Sequence, residues 1–338
     1  MKGSSMNDSA SKEGTSVVGI AFAFASAALF GILVPCSKML IDSLAPLQLA
    51  ALLLIGAGVG ACCLLVVRSA LRRPPAATAI GKDDAAKLAL MAALNAIAVG
   101  LLACGIAKIL AANASLIMGF EIAAATVCGW LFFNRHVCCK AIAAVGLICI
   151  AAFLLSWNTA GGIAFVPESL FIVAACILRG FEGGLKRSLA AKDPLQVICV
   201  RNLGAGLALL VAAFALGGIP SAPVGVLGNA LVLGFVTFGI AAILHLSAQR
   251  MIGSARAEGY FALAPFVGML VSWGYFGFEL DPLFFGALAL MALGVWLAMD
   301  DSVFHEDSFA ALNQERLSLY TGEAAAFGFD LMHRPLNR

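Results

Sequence analysis

NASLIMGFEIAAATVCGWLFF, the stretch from Asn113 to Phe133, shows what kind of protein this chain is. About 20 residues at a rise of about 1.5 Å each cross the hydrocarbon core of a bilayer, which is about 30 Å thick. The stretch is therefore long enough to span a membrane as one helix. Glu121, however, stands near its middle.

Glu121 needs a special environment at that depth. A carboxylate near the bilayer centre costs about 2.5 kcal/mol or more, so it must face a protein interior or a watered cavity, or carry a proton. Ionisable groups inside membranes usually mark substrate or proton paths. We therefore interpret Glu121 as a substrate or coupling residue, with a purely structural hydrogen bond as the alternative.

The composition extends this interpretation to the whole chain. Of 338 residues, 62% are hydrophobic and only 12% are charged, which is typical of a polytopic membrane protein embedded in a lipid bilayer. The net charge of +2 comes without a basic face, so no nucleic-acid partner is expected. Most of the ten cysteines lie in apolar runs without C-x-x-C spacing. They predict packing residues, and we expect no disulfide framework, no metal site and no cofactor.

Further apolar runs of similar length predict ten membrane-spanning helices. The ten runs are Val17–Val34, Pro46–Val67, Ala86–Ile106, Asn113–Phe133, Val137–Trp157, Leu170–Leu189, Pro194–Leu216, Val224–Leu246, Ala257–Gly277 and Pro282–Met299. Residues 1–16 are polar and are expected to form a disordered N-terminal tail, and residues 300–338 form a polar C-terminal tail.

Lysine and arginine in the loops predict the orientation, because cytoplasmic loops carry an excess of both. The loops after the odd-numbered spans hold only Lys38 and Lys108. The loops after the second, fourth, sixth and eighth spans hold Arg68, Arg72, Arg73, Lys82, Lys87, Arg135, Lys140, Lys186, Arg187, Lys192, Arg250 and Arg256. Both termini are therefore expected in the cytoplasm.

An internal repeat divides the chain. Lys38 stands eight residues before Pro46-Leu47-Gln48, and Lys186 stands eight residues before Pro194-Leu195-Gln196, five spans later. Because five is odd, the second copy must enter the bilayer upside down. The sequence thus predicts two inverted five-helix repeats, residues 17–157 and 158–299, an architecture in which transporters expose one site to alternate sides.

Charged residues inside the spans are the candidate site residues. Arg179 and Glu182 lie three residues apart in the sixth span, so we expect them to pair on one helix face, as a structural pair or as one that a substrate opens. Arg201 in the seventh span either lines the cavity or reaches back to the interface.

Uncharged groups complete the set of candidates. Asn95 suits an interhelical hydrogen bond or a substrate contact, and Tyr260 suits a ligand contact or an interfacial anchor. His245 is expected to be solvated, with a proton relay as the alternative. Pro35 and Pro265 are expected to break their helices and free backbone carbonyls.

No nucleophile, base and orienting group occur together, and no glycine-rich phosphate loop is present. We therefore predict that the protein is not an enzyme.

Taken in order, these motifs resemble the drug/metabolite transporter superfamily in its ten-helix bacterial form with two EamA-type repeats. The likeness covers Val17 to Met299. The likeness rests on motifs from both halves of the chain. They are Gly31 with Lys38 and Pro46-Leu47-Gln48, the second copy from Lys186 to Arg201, Ala114-Ser115-Leu116 to Glu121, Gly180-Phe181-Glu182, Ala248-Gln249-Arg250, Tyr260, Ala264-Pro265-Phe266 and Trp273. The first repeat departs from the pattern at Leu53, where an arginine is usual.

The resemblance implies a multi-pass secondary transporter of the bacterial inner membrane that exports small metabolites, amino-acid-like or other organic solutes. Protons are the expected coupling ion, and passive facilitation is the alternative. A non-transporting membrane sensor or interaction protein is a further alternative. Small residues such as Gly56 and Gly60 suit packing within a monomer or across a homodimer, and this choice stays open.

Overall fold

The structure, a computed structural model, describes residues 3–71, 78–133, 139–158, 164–189, 192–217, 222–277 and 282–298. The predicted C-terminal tail and the loop cations Arg72, Arg73 and Arg135 lie outside these residues. The first half contains α1 (Gly3–Gly31), α2 (Leu33–Ile41), α3 (Pro46–Ala70), a 3₁₀ turn (Lys82–Asp84), α4 (Ala85–Lys108), α5 (Ala111–Ile117), α6 (Phe120–Phe133) and α7 (Cys139–Leu155).

The second half follows a short link. In this link Trp157–Asn158 (β1) pairs antiparallel with Ala164–Phe165 (β2). The helices that follow are α8 (Ser169–Ser188), α9 (Pro194–Gly217), α10 (Val224–Gly234), a π-helical turn (Phe235–Ile240), α11 (Ala241–Ile252), α12 (Ser254–Phe261), α13 (Ala264–Phe276) and α14 (Pro282–Ala298).

Within the described ranges, seven helical stretches are long and apolar enough to cross a membrane. They are Val17–Ile41, Pro46–Ala70, Lys82–Lys108, Ala111–Phe133, Pro194–Leu216, Val224–Ile252 and Arg256–Phe276. The other three predicted spans coincide with α7 and α14, which are shorter apolar helices, and with α8, which carries charged residues. Large apolar side chains such as Trp130, Phe132 and Trp296 are exposed on the outer surface, as lipid-facing side chains are.

α1 begins at Gly3 and so includes residues of the stretch that is expected to form the N-terminal tail. One local prediction is corrected by the structure. The stretch around Glu121 is not one continuous helix, since α5 ends at Ile117 and α6 begins at Phe120. Gly119, a poor helix former, lies at this break.

The repeated Pro-Leu-Gln motif begins α3 and α9. Pro46 and Pro194 are the first residues of these helices, where the missing N–H costs nothing. The carboxamide of Gln48 accepts a hydrogen bond from the backbone N of Ala45 at 3.2 Å, and that of Gln196 accepts one from Ile80 at 3.0 Å. The motif therefore fixes how each helix starts.

The helix contacts recur when each helix is replaced by its counterpart in the other half of the chain. α3 packs on α9, α5 on α13 and α7 on α14. In each of these pairs, one helix is the counterpart of the other in the second repeat. α4 packs on α8 as α11 packs on α1, and α6 packs on α8 as α13 packs on α1. This is the pattern expected of two repeats related by a pseudo-two-fold axis.

A polar segment joins the halves at one end of the bundle. Arg68 at the end of α3 forms an ion pair with Asp193, and Lys192 Nζ lies 2.9 Å from Asp84 Oδ2. The backbone N of Asp193 donates to the carbonyl of Thr78 at 2.8 Å. Charges of the loops therefore tie the start of the second repeat to the first.

Candidate functional site

Glu121 lies in the first turn of α6, directly after the break in its span. Its backbone N donates to the carbonyl of Met118 at 3.0 Å. Free N–H groups at the start of a helix favour a negative charge there. The carboxylate side chain keeps 26% of its surface exposed, which distinguishes it from the fully buried charges nearby.

Arg179 of α8 neutralises Glu121. Its Nε donates to Glu121 Oε2 at 2.8 Å, and its guanidinium lies 5.1 Å from the ring centre of Phe30 and 5.9 Å from that of Phe238. Both rings lie within the range of cation–π attraction. Phe238 belongs to the π-helical turn, a feature that often occurs at functional sites.

The predicted pairing of Arg179 with Glu182 is wrong. Although the two residues share α8, Glu182 Oε1 accepts a hydrogen bond from Arg201 Nη1 of α9 at 2.6 Å. Lys186 Nζ lies 3.8 Å from the same oxygen. The neighbouring helices α6 and α9 each bring an opposite charge to α8, and these interhelical partners replace the intrahelical one.

Arg201 is buried in the bundle and does not reach back to the interface. Its Nε and Nη2 contact the Oδ1 atom of Asn202 at 3.3 and 3.1 Å. Asn95 of α4 donates from Nδ2 to the same oxygen at 3.0 Å, so it makes the interhelical hydrogen bond that the sequence suggested. Glu182, Arg201, Asn202 and Asn95 thus form one buried network across α8, α9 and α4.

Asn202 was missed by the sequence analysis. It is fully buried in α9 and accepts three hydrogen bonds. The available signal was a second amide inside an apolar span, directly beside Arg201.

Tyr260 is not brought into the ion-pair network by any contact that the structure records. Its ring packs against Phe24 of α1 with centroids 4.9 Å apart. The neighbouring residue, Phe261, stacks on His245 at 4.5 Å.

His245 and Gln249 of α11 meet Glu258 of α12, which the sequence analysis also missed. His245 Nε2 lies 3.2 Å from Glu258 Oε1, and Gln249 Nε2 donates to that oxygen at 2.8 Å. The three residues form a separate polar cluster near the junction of α11 and α12.

The breaks near Pro35 and Pro265 coincide with helix boundaries. α1 ends at Gly31 before α2, and Pro265 stands in the first turn of α13. A side chain at Gly31 would collide with the carbonyl of Ala264 and with Val267. The two breaks therefore pack against each other without room for a Cβ atom.

Lys38 of α2 contacts the end of α4. Its Nζ donates to the carbonyls of Ile106, Ala107 and Ile109 at 2.8, 3.0 and 2.9 Å. These are unpaired carbonyls at the end of α4, where a cation is favourable. The repeat-related Lys186, by contrast, is 44% exposed.

Comparison with known proteins agrees with this architecture. The EamA-like transporter family matches residues 17–157 and 167–299. A protein from Methanothermobacter thermautotrophicus (strain Delta H), described as an uncharacterized transporter, is 25% identical over 257 residues, which cover 72% of this chain and 75% of that protein.

A solved crystal structure shares the fold. It superposes with a TM-score of 0.59 at 18% identity, covering 88% of this chain and 99% of its own. The two family matches cover the two halves of the chain that share one packing pattern. The chain therefore belongs to the EamA-like transporter family.

Proposed function

We propose that this transporter is a secondary exporter of small polar organic solutes, coupled to protons through Glu121. One observation carries the proposal above all others. Two ion pairs of opposite orientation, Glu121 with Arg179 and Glu182 with Arg201, share helix α8, where the acid and the base lie three residues apart in a largely apolar bundle. Buried charges are costly and are kept in membrane proteins chiefly along transport paths.

The fold supports alternating access. In the described part of the chain three spans are interrupted, between α1 and α2, α5 and α6, and α12 and α13, and Glu121 lies at one of these breaks. Discontinuous helices near the interface of two repeats are the usual setting of transporter binding sites. We infer that the protein has ten spans in two inverted repeats, with both termini in the cytoplasm of a bacterial inner membrane.

The charges favour a particular kind of cargo. Glu121 is partly exposed, and Arg179 beside it presents a flat cation next to two aromatic rings that contact each other. A solute with both an amino and an acidic group can compete for both partners of this pair. Zwitterionic solutes such as amino acids therefore suit the site better than bare ions.

Proton coupling follows from the same pair. A carboxylate that loses its arginine partner to a substrate is left in an apolar setting, where protonation removes the cost of its charge. Passive exchange of the same solutes is the competing possibility.

Efflux from proteoliposomes tests the proposal. The vesicles are preloaded with amino acids, nucleosides and cationic dyes, and release is followed with and without an imposed pH gradient. We expect the wild type to release at least one amino acid faster under the gradient, and Glu121→Gln to lose this acceleration while remaining folded.

The matched control is Glu168→Gln, which makes the same change in the link before α8. It should behave like the wild type. Release that ignores both the gradient and the Glu121 substitution would show a facilitator whose site lies elsewhere.

A further inference from the structure

Asn202 is a polar side chain with no role in the transport steps proposed above. It is fully buried in α9. Its Oδ1 atom accepts hydrogen bonds from Asn95 Nδ2 at 3.0 Å and from Nε and Nη2 of Arg201 at 3.3 and 3.1 Å. One carboxamide oxygen thus holds two of the three nitrogens of a guanidinium.

The third nitrogen of Arg201 is thereby aimed at Glu182. Nη1 donates to Glu182 Oε1 at 2.6 Å. A guanidinium is a rigid planar fork, so fixing one edge fixes the direction of the other. Asn95 in turn holds the Asn202 oxygen in place from α4.

Glu182 keeps one oxygen free in this arrangement. Oε2 is buried and has no hydrogen-bond partner among the described residues, whereas Oε1 faces Arg201 and Lys186. The cations that act on this carboxylate are Arg201 from α9 and Arg179 and Lys186 from its own helix. A buried acceptor without a donor is costly, which points to a donor supplied by a ligand or a proton.

We propose that Asn202, braced by Asn95, is a positioning residue that confines Arg201 to one oxygen of Glu182 and reserves the other for a donor group of the cargo or for a proton. The proposal rests on the transport function proposed above.

The first repeat shows that the fold itself does not require this network. Counting from the helix-starting prolines Pro46 and Pro194, Leu53 corresponds to Arg201 and Leu54 to Asn202. Both leucines are buried in α3. A leucine is thus compatible with this place in the repeat, and Asn202→Leu is a suitable test variant.

The test measures how readily Glu182 takes up a proton. Dicyclohexylcarbodiimide reacts with protonated carboxyl groups in apolar sites, and its adduct on Glu182 is quantified by peptide mass spectrometry of full-length protein in liposomes over a range of pH. In Asn202→Leu the released Arg201 no longer holds Glu182 in its ionised form. We expect the pH midpoint of labelling to rise by about one unit, a tenfold change.

Asn202→Gln is the matched control, because it keeps a neutral carboxamide oxygen that can accept from Arg201. It should raise the midpoint less than Asn202→Leu does. A profile of Asn202→Leu that superimposes on the wild type would overturn the proposal, and so would an equal upward shift in Asn202→Gln.

If Asn202→Leu fails to fold, Asn95→Ala decides in its place. It frees the Asn202 oxygen from α4 and should shift the midpoint in the same direction, and no shift would overturn the proposal. The labelling requires no transport. A shifted midpoint in a protein that releases no solute would refute the transport function and leave the positioning role intact.

Discussion

At the scale of single residues, Arg179 and Glu182 of α8 are neutralised by two different helices. Arg179 reaches Glu121 of α6, and Glu182 receives Arg201 of α9. The result is a line of alternating charge in which each acid has a base from another helix. Such pairs cost free energy to bury, so they contribute to the specificity of packing more than to stability.

Removing one member of the buried pair should therefore be far more harmful than removing both. Arg201→Leu leaves Glu182 buried without its hydrogen-bonded partner, with Lys186 Nζ at 3.8 Å and Arg179 on the same helix as the remaining cations, and we expect a loss of about 3 kcal/mol in the free energy of unfolding. The double variant Arg201→Leu with Glu182→Leu should recover most of that loss.

Thermal unfolding of the purified protein in detergent measures both effects. Arg250→Leu, the same replacement at an exposed position at the end of α11, serves as the control and should change Tm little. A double variant as unstable as Arg201→Leu would contradict the argument.

At the scale of helices, glycine sets how closely α3 and α10 approach. A Cβ atom at Gly234 would overlap the backbone carbonyl of Leu53, and one at Gly56 would overlap that of Leu231. Backbone cannot move aside as a side chain can, so both positions require glycine. Close contact through small residues is the usual way in which membrane helices associate.

Gly234→Ala should consequently push the two helices apart. We expect a loss of about 1–3 kcal/mol, typical of overpacking, seen as a lower Tm. Gly228→Ala in the same helix is the control, because its Cβ would meet nothing within 4 Å. The control should be neutral or slightly stabilising, since alanine favours helix more than glycine does. Equal Tm values for the two variants would refute the steric explanation.

At the scale of the whole molecule, the two halves share one packing pattern but differ in chemistry. The ion-pair network lies on α6, α8, α9 and α4, whereas the first repeat places Gly31, Val34 and Leu53 where the second has Arg179, Glu182 and Arg201. The second repeat therefore supplies Arg179, Glu182, Arg201 and Asn202, and the first repeat supplies Glu121 and Asn95.

The repeat-related lysines also differ in state. Lys38 donates to three carbonyls at the end of α4, whereas among the described residues Lys186 has one recorded ion pair, at 3.8 Å with Glu182. Lys38 therefore ties α2 to the end of α4.

Lys38→Met should loosen that end. Ser37 is buried beside Leu33 and Ile106, so a cysteine there, in a background without the ten native cysteines, should react slowly with a membrane-impermeant maleimide. We expect Lys38→Met to accelerate labelling about tenfold, equivalent to the loss of one charge-assisted hydrogen bond.

Lys186→Met is the control for this experiment and should leave labelling of the cysteine at position 37 slow. An unchanged rate in Lys38→Met would show that the hydrogen bonds of this lysine do not protect position 37.

By itself the sequence determined the membrane class, the positions of the apolar helices, the internal repeat and the family resemblance, which the family match confirms. Hydropathy, proline position and repeat spacing are properties of short segments, so they can be read without knowing how helices pack. Glu121, Pro35 and Pro265 were found in this way because each is conspicuous in an apolar run.

Only the tertiary structure decided which charges meet. The sequence paired Arg179 with its neighbour Glu182. It overlooked Asn202, which Asn95 contacts from another helix, and Glu258, whose partners lie beyond a helix junction. A side chain on a membrane helix pairs with whatever the adjacent helix presents at the same depth, and that depends on rotation and crossing of helices. These are set by close packing between segments far apart in the chain, which no local pattern records.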